Sequence, residues 1–147
     1  MTNKPIVQKI VLAGVVFNEN GSILILQRRS DEDIYPNMWE LPSGKREPLE
    51  PSIESLKREV FEESGLEIEL VSALSVFDYQ IEKENEIRDS TQVNFIVKAK
   101  NANVKLSEEH QAFAWLKPEE LDNYNLSKET KAVIKQALNT YNKLVKE

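Results

Sequence analysis

The chain has no cysteine among its 147 residues, which excludes disulfides, thiolate nucleophiles and thiolate metal sites. It also lacks any long apolar run and any signal-peptide pattern at its start, so the expected compartment is the cytoplasm, with no membrane partner. A basic excess is missing too: 19 Lys and Arg stand against 25 Asp and Glu, for a net charge of -6. With no basic stripe, double-stranded nucleic acid is not expected as a partner. Histidine occurs once, at His110. Beside an acidic loop it reads as a surface or structural residue, with a supporting role next to Glu109 as the rival. No repeat, linker or low-complexity segment interrupts the chain, and the length fits one domain over residues 1–147.

What is present is concentrated between Gly44 and Leu66, GKREPLEPSIESLKREVFEESGL. Pro51 suits the start of a helix and Gly65 the residue just past its end, giving a helix over about 51 to 64. At roughly 100° per residue, Glu59, Glu62 and Glu63 then share one face. Carboxylates this close repel one another, and a bound divalent cation reverses that penalty. Oxygen ligands alone suit Mg²⁺ or Mn²⁺, ions that commonly recruit substrate phosphates. Ile53, Leu56 and Val60 form the neighbouring apolar stripe, and the small Ser52 and Ser55 leave room along the carboxylate face. The competing reading is a solvated, salt-bridged surface made of Glu54, Lys57, Arg58 and the same glutamates.

Strands are expected over about 6 to 17, 22 to 28, 68 to 79, 91 to 99 and 112 to 116. Asn20-Gly21 reads as a hairpin turn. Two loops are expected, a charged one at 82–90 and a second at 101–109 that brings Glu109 inward. Pro118 opens a short helix, and Ser127 caps a long amphipathic one along Val133, Ile134, Ala137, Leu138, Tyr141 and Val145. Arg28 and Arg29 end an apolar strand, where guanidinium groups can hold phosphates bidentately. Trp39 and Tyr79 offer flat faces for a nucleobase, with core packing as the alternative for each.

Gly44, Glu50, and the run Arg58 to Leu66 together resemble the complete nudix box of the nudix hydrolases. Upstream, ILILQRRSDEDIYPNMWELPSGK is similar to the lead-in of the MutT-like branch, and downstream SEEHQAFAWLKPEEL is similar to its later acidic segment. One departure is Ser43, where the family usually has the first of two glycines. If that position needs a positive φ, serine costs about 1 kcal/mol there.

The resemblance implies an α/β/α sandwich with a mixed sheet between helices. It implies that Glu59, Glu62 and Glu63 ligate catalytic metal, with the Gly44 carbonyl as a further ligand, and that Glu50 pairs with Arg58 to orient the helix. Glu109 aligns with an additional metal ligand or general base, Glu108 being its rival, and Arg29 is favoured over Arg28 for phosphate. The activity implied is metal-dependent hydrolysis of a diphosphate bond in a nucleoside diphosphate linked to X. A nucleoside triphosphate is the leading substrate, an oxidised one such as 8-oxo-dGTP included, giving monophosphate and pyrophosphate. ADP-ribose and nucleotide sugars remain alternatives, although the sequence markers of ADP-ribose and dinucleoside polyphosphate hydrolases are missing. A non-catalytic ligand sensor is the alternative of another class, disfavoured because every box carboxylate is kept. An isomerase of the same fold is disfavoured by the lack of cysteine. Monomer and homodimer both stay open.

Overall fold

The computed structural model describes residues 3–145. It contains seven strands, β1 (Ile6–Phe17), β2 (Ile23–Arg28), β3 (Trp39–Glu40), β4 (Ser43–Lys45), β5 (Ile68–Glu82), β6 (Ile87–Ala99) and β7 (His110–Leu116). Two α-helices, α1 (Ser52–Ser64) and α2 (Lys128–Val145), and a short 3-10 helix (Pro118–Asn123) complete it. The strands form one mixed sheet of order β3-β2-β1-β6-β5, with β4 on β1 and β7 on β2. β1 and β6 run parallel and the other pairs antiparallel.

Strand alternation sorts the apolar side chains into two cores. Val15, Phe17, Ile23, Ile25 and Ile96 pack with Val133, Ile134 and Ala137 of α2. Their neighbours Leu12, Val16, Leu24, Leu26, Phe95 and Val97 pack with Leu56 and Val60 of α1. The sheet therefore lies between the two helices, and a run such as Ile23 to Leu26 is apolar throughout because both of its faces are covered. Among the described residues no helix is long and apolar enough to cross a membrane.

The differences from expectation are local. β5 and β6 extend through most of the expected 82–90 loop, leaving only the turn at 83–86, which Lys83 N–H closes by donating to the Glu86 carbonyl at 2.8 Å. Edge pairing carries the ladder through a charged stretch that lacks the apolar alternation of a strand. β3 and β4 are too short for periodicity to reveal. Pro51 sits at the helix cap, one residue before the first turn, and Ser55 is buried, so it does not line an open face. Val145 is exposed at the end of α2, past the reach of the core. Ser127 caps α2 as expected, its Oγ accepting from Thr130 N–H at 3.1 Å.

Leu56 is the anchor of α1 on the sheet. Leu56→Ala is expected to cost about 2 to 5 kcal/mol and to lower the melting temperature by roughly 5 to 15 °C. Urea unfolding followed by circular dichroism measures it; a loss below 1 kcal/mol contradicts the packing described.

Candidate functional site

The helix α1 carries its carboxylates into two different environments. On the outer side Arg58 gathers Glu59 and Glu62 together with Glu50, which precedes the helix. Its Nε donates to Glu50 Oε2 at 2.8 Å and its Nη2 to Glu50 Oε1 at 3.0 Å, a bidentate pair. Its Nη1 donates to Glu59 Oε1 at 2.9 Å and to Glu62 at 3.3 Å. The Arg58 hydrogen bonds hold the Glu50 carboxyl down at a pKa of about 2. Glu62 is the most open of the set, its side chain 56% exposed.

Glu59 is pressed against β4. A Cβ placed on Gly44 would collide with the Glu59 carboxyl, so the seating of that carboxyl against this strand requires glycine. Burial raises the Glu59 pKa against the opposing pull of Arg58. Ser43, by contrast, is not among the residues with positive φ, so serine is unstrained there, and its N–H donates to Glu63 Oε1 at 2.9 Å.

Glu63 turns inward and is only 5% exposed. Burial pushes its pKa up to about 10, with the Glu40 and Glu109 charges adding to that effect. Glu63, Glu109 and His110 bring ligand atoms within 4.8 Å of one another. Glu59 and Glu62 lie outside that group.

His110 is buried rather than on the surface, at 5% exposure. Its Nε2 lies 2.8 Å from Glu40 Oε2, while Nδ1 has no partner. Arg28 continues the chain of contacts, donating to Glu40 Oε1 and Glu32 Oε2 at 3.4 Å each and to the Ile34 carbonyl at 3.1 Å. The pairing of β2 with β7 shifts at Gln27/Arg28 and sets Arg28 opposite His110. Arg29 points away to Asp31, at 3.0 Å, and reaches the Glu108 carbonyl at 3.5 Å. Arg28 and Glu109 line the neighbouring cleft; Arg29 and Glu108 do not.

That cleft has a volume of about 710 Å³. Glu63, Glu109 and His110 line it, as do Trp39, Phe77, Tyr79 and Gln92. Trp39 meets Tyr124 edge-on with centroids 5.0 Å apart and packs on the α2-side core. Tyr79 lies 5.8 Å from Phe77, and burial raises its pKa while Ser90 hydrogen-bonds its hydroxyl. Sequence reasoning passed over Glu40 and Gln92. The signal for Glu40 was a lone carboxylate inside the Trp-Glu-Leu-Pro run; for Gln92 it was a polar residue on the strand face that Ile96 continues into the core.

The family model for the NUDIX domain matches residues 8–137. Over 140 residues the chain is 28% identical to the nucleoside triphosphatase NudI of Escherichia coli O81 (strain ED1a), covering 87% of this chain and 95% of that protein. The crystal structure of the MutT protein from Methanosarcina mazei Go1 matches with TM-score 0.68 at 25% identity, over 100% of both chains. That of the MutT NUDIX hydrolase from Burkholderia pseudomallei matches with TM-score 0.72 at 25% identity, over 88% of this chain and 98% of the other.

Because Arg58 keeps Glu50 ionised well below its ordinary pKa of 4.5, the pair stabilises the fold above that value and loses its effect as pH falls toward about 2. Glu50→Gln is expected to lower the melting temperature by about 2 to 4 °C at pH 7, with the gap to wild type closing in acid. A gap that stays constant down to pH 2 contradicts the assignment. Gly44→Ala is expected to fold while displacing the Glu59 carboxyl, visible as changed chemical shifts around both residues.

Proposed function

This chain belongs to the NUDIX domain family and is a nudix hydrolase, and we propose that it splits a nucleoside triphosphate into the monophosphate and pyrophosphate. The observation that carries the reading is the convergence of Glu63, Glu109 and His110 in a nucleotide-sized cleft that Arg28 and aromatic side chains also line. The name of the 28% identical Escherichia coli relative, a nucleoside triphosphatase, supports the substrate class.

The donors suit a divalent cation. Glu63 is a buried carboxyl reached by the Ser43 N–H and by Glu109, and the surrounding set is carboxylate oxygen with one imidazole. Hard or borderline ions take such donors. Glu59, Glu62, Glu63 and Glu109 would hold Mg²⁺ or Mn²⁺, the Gly44 carbonyl adding to them. When bound, the ion would acidify a water and offset the charge of the phosphates.

The chain's own groups then have distinct tasks. Glu109 accepts the proton as the water oxygen bonds to one phosphorus of the α–β bridge; the bridging P–O bond breaks and the other side of the bridge leaves as the anion, so that monophosphate and pyrophosphate result. Arg28 receives phosphate oxygens from inside the cleft, while Arg29 is left to the rim. Trp39 and Tyr79 flank the base. The Glu50–Arg58 pair keeps the glutamate face of α1 turned to the substrate.

Purified protein is expected to release pyrophosphate from at least one nucleoside triphosphate with Mg²⁺ and to stop in EDTA. Glu62→Gln and Glu63→Gln should each lower kcat by roughly a hundredfold or more while keeping a native circular dichroism spectrum. Full activity in both folded variants, or release of orthophosphate alone, would overturn the reading.

A further inference from the structure

Strand β6 carries a polar ladder that reaches the cleft at Arg88 and Gln92 and that the hydrolytic reading leaves unused. Along β6, alternation puts Arg88, Ser90, Gln92 and Asn94 on the face that Ile96 continues into the α2-side core. Asn94 is fully buried, at 0% exposure. It accepts from Gln92 Nε2 at 2.8 Å and donates to Ser75 Oγ at 3.2 Å. Cross-strand register pairs Ser75 with Asn94, Phe77 with Gln92 and Tyr79 with Ser90.

A buried carboxamide is costly to keep where an apolar side chain would pack, unless its hydrogen bonds are made and useful. Here the bonds fix one thing that reaches the cleft, the amide plane of Gln92. One of its N–H groups is committed to Asn94, so its carbonyl oxygen and second N–H are left for a ligand. Gln92 lines the cleft together with Phe77, Tyr79 and Trp39. A flat ring lying against those aromatic faces would present its edge to an amide held in place from below.

We infer that Gln92 is a specificity-determining residue that reads the hydrogen-bonding edge of the substrate's nucleobase, its amide oriented by Asn94 and Ser75. The inference rests on the nucleotide reading of the cleft but not on hydrolysis. An adjacent acceptor and donor fit either the amide edge of uracil, thymine and guanine or the amino edge of adenine and cytosine. The shared requirement is a base with paired polar groups, and amide contacts of this kind discriminate between bases by roughly ten- to a hundredfold.

The test is equilibrium binding, by titration calorimetry without metal, of five nucleoside 5′-monophosphates (U, T, G, A and C) and of ribose 5-phosphate, which has no base. Wild type is expected to favour one edge type by about tenfold. Gln92→Leu, or Gln92→Met where leucine disturbs the melting curve, should narrow that preference to within about twofold and leave ribose 5-phosphate binding unchanged. Three results would overturn the assignment: wild type that does not discriminate or binds none of them, a variant that keeps the preference, or a variant that weakens all six ligands equally. Pyrophosphate release is measured separately, so a failure of the hydrolase reading leaves a base preference that depends on Gln92 visible.

Discussion

The close approach of α1 to β4 is the constraint on which the rest of the site depends. Gly44 lacks the side chain that would otherwise displace the Glu59 carboxyl, which occupies the freed space. The adjacent Ser43 N–H then reaches the Glu63 carboxyl, one helical turn further on. From below, Leu56 and Val60 hold the same helix on the sheet. With its azimuth fixed by these contacts, α1 can turn Glu63 into the cleft while Arg58 collects Glu50, Glu59 and Glu62 on the other side.

Identical carboxyl groups thereby acquire opposite properties. Glu50 is pulled far below the ordinary carboxylate range by a bidentate guanidinium, and Glu63 is pushed to about 10 by burial. The two groups therefore have different tasks. Glu50 is neutralised by the Arg58 guanidinium and sets the helix orientation, whereas Glu63 has no such partner beside it and gains most from an incoming cation. The Arg28–Glu40–His110 chain serves as the second wall, tying β2, β3 and β7 together beside Glu109.

Much of this was legible in the sequence because it is written locally. The Pro51 and Gly65 signals bracket α1 to within a residue and alternation marks the central strands, whereas the three glutamates that helical spacing sets on one face divide, Glu59 and Glu62 going to Arg58 and Glu63 to the cleft. What sequence could not carry is contact between distant segments. Glu40 and His110 are 70 positions apart, and their pairing follows from the sheet order, which periodicity does not encode. Nothing in the sequence separates Arg28 from Arg29 by position, and only the fold shows Arg28 lining the cleft while Arg29 pairs with Asp31. The Ser43 question could not be answered without φ.

The buried polar residues form a map of function that burial alone would miss. Ser22 and Ser64 sit at a turn and a helix end, where backbone groups account for them, and Ser55 lies beside Glu50, outside the cleft lining. Glu63, Ser90, Asn94 and His110 are different: each lies at the cleft or bonds a side chain that lines it. Apolar residues at those positions would join the two cores and strengthen them, as Ile96 does immediately beyond Asn94. The fold gives up that packing on both sides of the sheet, at Glu63 of α1 and at Asn94 on the α2-side face of β6. A sequence whose local choices otherwise agree with its fold departs from them where the departure has a use. Here the departures trace the cleft from its carboxylates to the Gln92 amide.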